Sequence, residues 1–418
     1  DISAIGITTN TSSIGALALG INGDQPSPAN VNFSIDGQGY SIDGAGKAGI
    51  TVSAGQTLNI NDVNGSSSTG DLADKGFTGF GSRLLDNTGT ISISNTNFVS
   101  NNISETVSKN VGGILRNIGT VTQIVGSNFN NNTVTTSGSA SSLWGGIINN
   151  GIDAYKDAEI TLIKDTNFIG NYSGGNGGAL YSNYNLNIVA KTQNVEFSGN
   201  YANATIVVDT DTTSDTYGQV ITKTGGELND IYMSGNSLTL NAGTYTEEVE
   251  GEEVTKQRSI TFGGSIVGNN AQINVGDSTH AGIVNFNNTV NAYSVTVRAG
   301  NANFDGVVTA PSLTVTGGEA DFNSTVTASN SVTVSGGKAN FDGTVSTSTV
   351  TINGGETDFN NTLTASNSIY VNAGSVNFDG TVAVPSIYIN NGEVDWEYSG
   401  EYTDEFGTIY SIESGRVV

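Results

Sequence analysis

Asn301-Ala-Asn-Phe304-Asp305-Gly306-Val-Val308-Thr-Ala310-Pro-Ser-Leu313-Thr-Val315-Thr-Gly-Gly318 is followed at once by Glu319-Ala-Asp-Phe322-Asn323-Ser-Thr-Val326-Thr-Ala328-Ser-Asn-Ser-Val332-Thr-Val334-Ser-Gly-Gly337. The two segments are copies of one pattern. Extended in both directions, it places an aromatic residue at Phe286, Phe304, Phe322, Phe341, Phe359, Phe378 and Trp396, with a spacing that never varies by more than one position. So tight a period in a chain with 56 Gly and 4 Pro marks a solenoid, in which each repeat is one coil. Apolar residues come in pairs two apart, such as Ala302 with Phe304, Val308 with Ala310, and Leu313 with Val315, which is strand spacing and not the 3.6 period of a helix. Asp305-Gly306, Ala310-Pro311 and Gly317-Gly318 interrupt the pairs as turns. The expected fold is all-β: a single-stranded parallel β-helix, a solenoid with three short strands per coil and a coil length of about 18 to about 19 residues. Like side chains then stack from coil to coil at about 4.8 Å.

The longer coils read Thr327-Ala-Ser-Asn-Ser331 where the shorter ones read Thr309-Ala-Pro-Ser312, so the extra residue belongs to a turn and leaves the strands in register. Polar residues beside the aromatic alternate: Asn303 and Asp305, then Asp321 and Asn323, then Asn340 and Asp342. In-register stacking gives columns that read Asn, Asp, Asn, Asp, which keeps carboxylates from facing one another directly.

At 418 residues the chain exceeds an ordinary single core, yet a solenoid grows lengthwise, so one elongated domain is expected. Its divisions are irregular coils with protruding loops over 1–285, regular coils over 286–396, and a cap or docking segment over 397–418. An apolar fraction of 36% and the strict period argue against a disordered polymer. A net charge of -25 with scattered Lys and Arg excludes nucleic acid as a partner. Zero cysteines exclude disulfides, and no apolar run is long enough to form a membrane-spanning helix. The chain opens Asp1-Ile-Ser-Ala without a basic and apolar leader, so the expectation is an exported protein whose signal peptide has been removed.

Before residue 285 the coils are longer. Phe98-Val-Ser-Asn101, Phe129-Asn-Asn-Asn132, Phe168-Ile-Gly-Asn171 and Phe197-Ser-Gly-Asn200 alternate with Gly112-Gly-Ile-Leu115, Gly145-Gly-Ile-Ile148 and Gly177-Gly-Ala-Leu180. The physical reading is an inward Phe, an Asn at a corner whose amide bonds the backbone, and a glycine pair that reverses the chain. Over roughly 84–200 this pattern resembles the repeat of the polymorphic outer membrane proteins, with Phe168-Ile-Gly-Asn171 and Gly177-Gly-Ala-Leu180 carrying the likeness. Those proteins are autotransporters. The resemblance implies a right-handed β-helical passenger displayed on a Gram-negative surface, commonly as an adhesin. Gly112-Gly-Ile-Leu115 and Gly145-Gly-Ile-Ile148 depart from it by lacking the alanine, and the strands of a C-terminal translocator barrel are not recognisable before Val418.

Loops are expected at 64–82, 133–143, 151–158 and 209–219, with Tyr172, Tyr181 and Tyr184 as exposed contacts for a glycan or protein receptor on a host or bacterial cell. Asp209, Asp211 and Asp215 offer oxygen ligands for Ca²⁺, but without the glycine and distal Glu of a known loop a solvated acidic segment is the better reading, and no cofactor is expected. Glu247 to Glu253, followed by Lys256 and Arg258, reads as a hairpin turning near Gly251 with arms able to pair. Parallel β-helices are often polysaccharide-degrading enzymes, so catalysis has to be weighed. The lone His280 sits in a turn, and the clustered Asp pairs and basic residues of that chemistry are missing, so no catalytic residue is expected. The reading is a non-catalytic, surface-exposed or secreted adhesin or self-associating protein. The alternatives are a structural subunit of an extracellular filament or surface layer and, behind it, a polysaccharide-degrading enzyme of the pectate-lyase-like fold.

Overall fold

A computed structural model of the chain describes residues 31–44, 49–66, 75–105, 113–136, 145–151, 158–208, 220–249 and 252–396. It adds the backbone of short strands at 5–6, 11–13, 17–19, 400–403, 409–412 and 415–417. The regular structure of these residues is all β, built mainly from parallel pairs. Two compact units divide the chain: Asp1–Val189 with Val195–Asn236, and Ala190–Asn194 with Ser237–Val418. Among the described residues no helix is long and apolar enough to cross a membrane.

In the second unit the short strands Ile283–Phe286, Asn301–Phe304, Glu319–Phe322, Lys338–Phe341, Glu356–Phe359, Ser375–Phe378 and Glu393–Trp396 pair in parallel. The register matches Phe286 to Phe304, Phe322, Phe341, Phe359, Phe378 and Trp396 in turn. From Phe286 to Phe378 the rings stack with centroids 4.5 to 5.5 Å apart and planes within 10° of parallel. Each ring is buried. Burial contributes roughly 1.5 to 3 kcal/mol per ring and stacking about 0.5 to 1.5 more, so every repeat brings its own stabilisation. The column begins earlier than the sequence pattern predicts, since Phe262 on Ser259–Phe262 pairs with Phe286.

The second and third strands expected in each of these coils are one strand. Val308–Val315, Val326–Val334, Val345–Ile352 and Leu363–Val371 each run through the expected corner. The corner survives as a break in alternation: Pro311 and Ser312 both point away from the core, as do Ser329, Asn330 and Ser331 in the next repeat. Backbone pairing resumes after a shift of register at this place, which is where the extra residue of the longer repeats is absorbed. Only in the last repeat do the halves separate, into Val382–Ala383 and Ser386–Ile389, flanking Pro385 with its missing N–H. A glycine closes each of these repeats, preceded by a second glycine at Gly317, Gly336 and Gly354 and by Ala373 before Gly374. Gly318, Gly337, Gly355 and Gly374 all have φ between 72° and 84°, and a Cβ on Gly337 would lie 2.3 Å from the Gly318 carbonyl oxygen of the preceding repeat.

The first unit has shorter strands and longer connections. Its opening repeats hold three strands each: Ile5–Gly6, Thr11–Ser13 and Leu17–Leu19 pair in parallel with Val31–Asp36, Ser41–Asp43 and Ile50–Val52. Phe77, Phe98, Phe129, Phe168 and Phe197 form its aromatic column, with centroids 4.5 to 5.4 Å apart, although the lengths of chain between them are unequal. Phe77 lies inside the segment expected to be a loop over 64–82; the strand Phe77–Thr78 corrects that, because a buried Phe with a ring stacked on it belongs to the core. Thr133–Thr136, at the start of the loop expected over 133–143, is likewise a strand, paired with Asn102–Glu105.

Candidate functional surfaces

The recurring Phe-x-x-Asn has a specific geometry. Its third residue takes a left-handed backbone in every copy, with φ of 53° at Ser100, 56° at Asn131, 67° at Gly170 and 62° at Gly199. That turn swings Asn101, Asn132, Asn171 and Asn200 inward, where they are fully buried. Each amide nitrogen donates to the side-chain oxygen one repeat on, at 3.0, 3.1, 2.9 and 2.8 Å, the last acceptor being the Asp230 carboxylate. Each also donates to a phenylalanine carbonyl one repeat back, as Asn132 does to Phe98 at 2.8 Å. Buried amides are satisfied here by a continuous ladder. A second ladder of Asn87, Asn117, Asn150 and Ser182 runs beside the strands Leu85–Asn87, Leu115–Asn117, Ile148–Asn150 and Leu180–Ser182. The first ladder is the amide role expected from the sequence; the second was missed, and its signal is the short apolar-x-Asn motif before a Gly or turn.

The surface of the second unit is sorted by charge. Outward positions on the short strands give the column Asn303, Asp321, Asn340, Asp358, Asn377 and Asp395. The turn after them gives a second column in opposite phase, in which Asn323 donates to Asp305 at 2.7 Å and Asn360 to Asp342 at 2.6 Å. The alternation read from the sequence is therefore present in space, and amides separate the carboxylates. Lys338 reaches Glu356 at 3.3 Å and Asp358 at 3.5 Å. Burial pushes the Asp321 carboxyl up, aided by Glu319. Burial also pushes Asp358 up, against the pull of Lys338.

Elsewhere, strands Thr244–Val249 and Glu252–Gln257 form the expected hairpin, with Glu247 opposite Val254 and Lys256 paired to Glu247. Its base is held where the Arg258 guanidinium covers the Tyr245 ring at 3.7 Å. His280 is engaged within its own turn: its ring lies 2.8 Å from Asp277, to which Thr279 also donates at 2.7 Å. Burial raises the Asp277 pKa, and the bonds from Thr279 and His280 outweigh it, leaving the group at about 2.

Asp209, Asp211 and Asp215, the calcium candidates, lie outside the described residues, as does the whole of the loop expected over 209–219. Among the described residues no group of three or more His, Cys, Asp or Glu is placed to hold a metal ion. Tyr181 is not an exposed contact: it is 2% exposed and stacks on Tyr232 at 5.5 Å. Tyr172 and Tyr184 are partly exposed; Tyr172 stacks on Tyr201 at 4.9 Å under the Lys223 ammonium, whose pKa burial lowers. Among the described residues the most exposed aromatics are Tyr293 and Tyr388, which the sequence pattern does not single out. The tail supplies a covering strand, since Gly415–Val417 pairs antiparallel with Glu393–Trp396. Comparison with known protein families, with curated proteins and with solved structures finds no match to this chain.

Proposed function

We propose that the chain is a right-handed, single-stranded parallel β-helix, exported to a cell surface, that works by adhesion or self-association and not by catalysis. One observation carries the reading: stacked Phe, Asn and Gly columns recur from repeat to repeat, so the sequence is spent on a framework that presents its flanks and hairpins. Parallel strands joined by crossovers favour the right-handed winding, and the resemblance of residues 84–200 to autotransporter passengers supports export. A catalytic centre is expected to break the repeat with a cluster of unlike side chains; the outward acidic columns instead carry the same chemistry from coil to coil. The filament reading is weaker, because Gly415–Val417 already occupies the edge of Glu393–Trp396 against which a following copy would stack.

The test is retention of chain-coated beads on epithelial and bacterial cells. Binding above albumin-coated beads, saturable by the free chain, is expected. Equal retention of both bead types, or release of reducing ends from acidic polysaccharides by the purified chain, would sink the proposal.

A further inference from the structure

Between residues 299 and 396 every charged side chain lies on a short strand or on the turn that follows it. The strands from Val290–Val297 through Val308–Val315 to Leu363–Val371, with Ser386–Ile389 after them, carry no charge at all; Arg298, just past the first of them, donates to Asn274 at 2.8 Å. Their outward columns are hydroxyls and aromatics: Thr296, Thr314, Thr333, Thr351, Tyr370 and Tyr388 in one, with a second running from Thr309 to Thr364. Tyr388 is 48% exposed and stacks on Tyr370 at 5.0 Å.

From this segregation we infer that the uncharged face of the long strands is where a second copy of the chain docks, side by side. Two arguments select that occupant. A chain of net charge -25 repels its own copies wherever carboxylates meet, and this face is the part of the regular repeats where they do not. Its columns also repeat at the interstrand spacing, about 4.8 Å, so an identical face offers ridges of the same pitch for interdigitation along its length. The two columns lie on either side of the corner at Pro311 and Ser312, and the surface spans about 27 Å of backbone and about 24 Å across five interstrand steps, so it offers at most about 650 Å² per copy against the ~800 Å² that a standard interface takes from each partner. Pairing is accordingly weak, and it operates where copies are crowded.

The inference rests on the reading of the chain as a stack whose flanks are its working surface, and it names one flank. The test is sedimentation equilibrium of the whole chain from about 1 to about 500 µM, the range suited to an interface of less than standard size. The wild type is expected to rise from monomer toward dimer, more readily at high salt, which screens the repulsion elsewhere. Thr314→Glu with Thr351→Glu places like charges on the face and should weaken association at least tenfold. Asn301→Glu with Ser375→Glu adds the same charge at positions where neighbouring repeats carry Glu319, Glu356 and Glu393, and should leave association unchanged. Matched circular dichroism melts establish that both variants fold. A wild type that stays monomeric throughout, or a dimer indifferent to the first pair, overturns the inference, as does a face that holds a neutral polysaccharide while the protein remains monomeric. Each of these outcomes leaves the bead assay standing, so the two failures are told apart.

Discussion

Asn132→Asp exchanges an amide for a carboxyl at the middle of the buried ladder, with almost no change of shape. In the wild type the Asn132 amide nitrogen donates to the Phe98 carbonyl at 2.8 Å and to Asn171 Oδ1 at 3.1 Å, while its oxygen accepts from Asn101 at 3.0 Å. The site is fully buried. An ionised Asp has no donor to give, so it forfeits two bonds worth about 1 kcal/mol each and leaves two acceptors facing a carboxylate at a further cost of about 1 kcal/mol or more apiece, about 4 kcal/mol in all. A protonated Asp restores one donor, which halves the loss. The folded-state pKa of the new carboxyl must then rise above its unfolded value of about 3.9. The sign follows from that: protonation favours the folded form, so the deficit against wild type is smallest below the unfolded pKa and grows as pH rises toward the folded one. Urea unfolding followed by far-UV circular dichroism, on both proteins at about pH 3 and about pH 7, reads the difference. A deficit of about 2 kcal/mol growing to about 4 is expected. A deficit under about 1 kcal/mol at both values, or one that shrinks as pH rises, refutes the ladder.

Three further outcomes follow from particular residues. Thr357 stands in the inward column of Ala320, Ala339 and Val376, fully buried, with no hydrogen-bond partner for its hydroxyl; Thr357→Val should raise stability by about 1 kcal/mol in the same unfolding assay. Ser100 holds the left-handed turn that Gly170 and Gly199 occupy in later repeats, so Ser100→Gly should stabilise by up to about 1 kcal/mol, where a glycine in ordinary backbone would cost that much. Asp358 is raised by burial, so its contribution to folding is full below the unfolded carboxylate pKa and falls as pH climbs through the folded one. Lys338→Gln removes the charge that opposes this rise, and thermal midpoints taken across the carboxylate range should fall more steeply with pH in the variant than in the wild type.

The sequence made the second unit legible because one aromatic per repeat, at a period constant to within one position, leaves few ways to fold. It hid Phe262, which precedes Phe286 by more than one regular interval, and it hid the merging of two strands into one, because the inward alternation of Val308–Val315 skips a position without leaving the sheet. In the first unit Phe-x-x-Asn was readable because a left-handed turn and a buried amide restrict the residue types at both places. Phe77 was not, since no Asn follows it and only its position beneath Phe98 reveals its role. Tyr181 was misplaced because burial of an aromatic beside a loop depends on tertiary packing that the local pattern does not encode. The working surface was the least legible part. Its chemistry lies in which columns carry charge and which do not, and that sorting emerges only when repeats are laid in register.

Register is also where the account can be tested most directly. Cysteine is absent from the chain, so engineered pairs report without background. Asn303 and Asp321 are neighbours across one interstrand step, whereas Asn303 and Asn340 are separated by two, about 4.8 Å against about 9.6 Å. A disulfide bridges Cα atoms only up to about 7 Å apart. Asn303→Cys with Asp321→Cys is predicted to oxidise to an intramolecular bridge in the native protein, and Asn303→Cys with Asn340→Cys to keep two free thiols. Thiol counting that finds the first pair reduced and the second bridged contradicts the in-register stacking of the repeats.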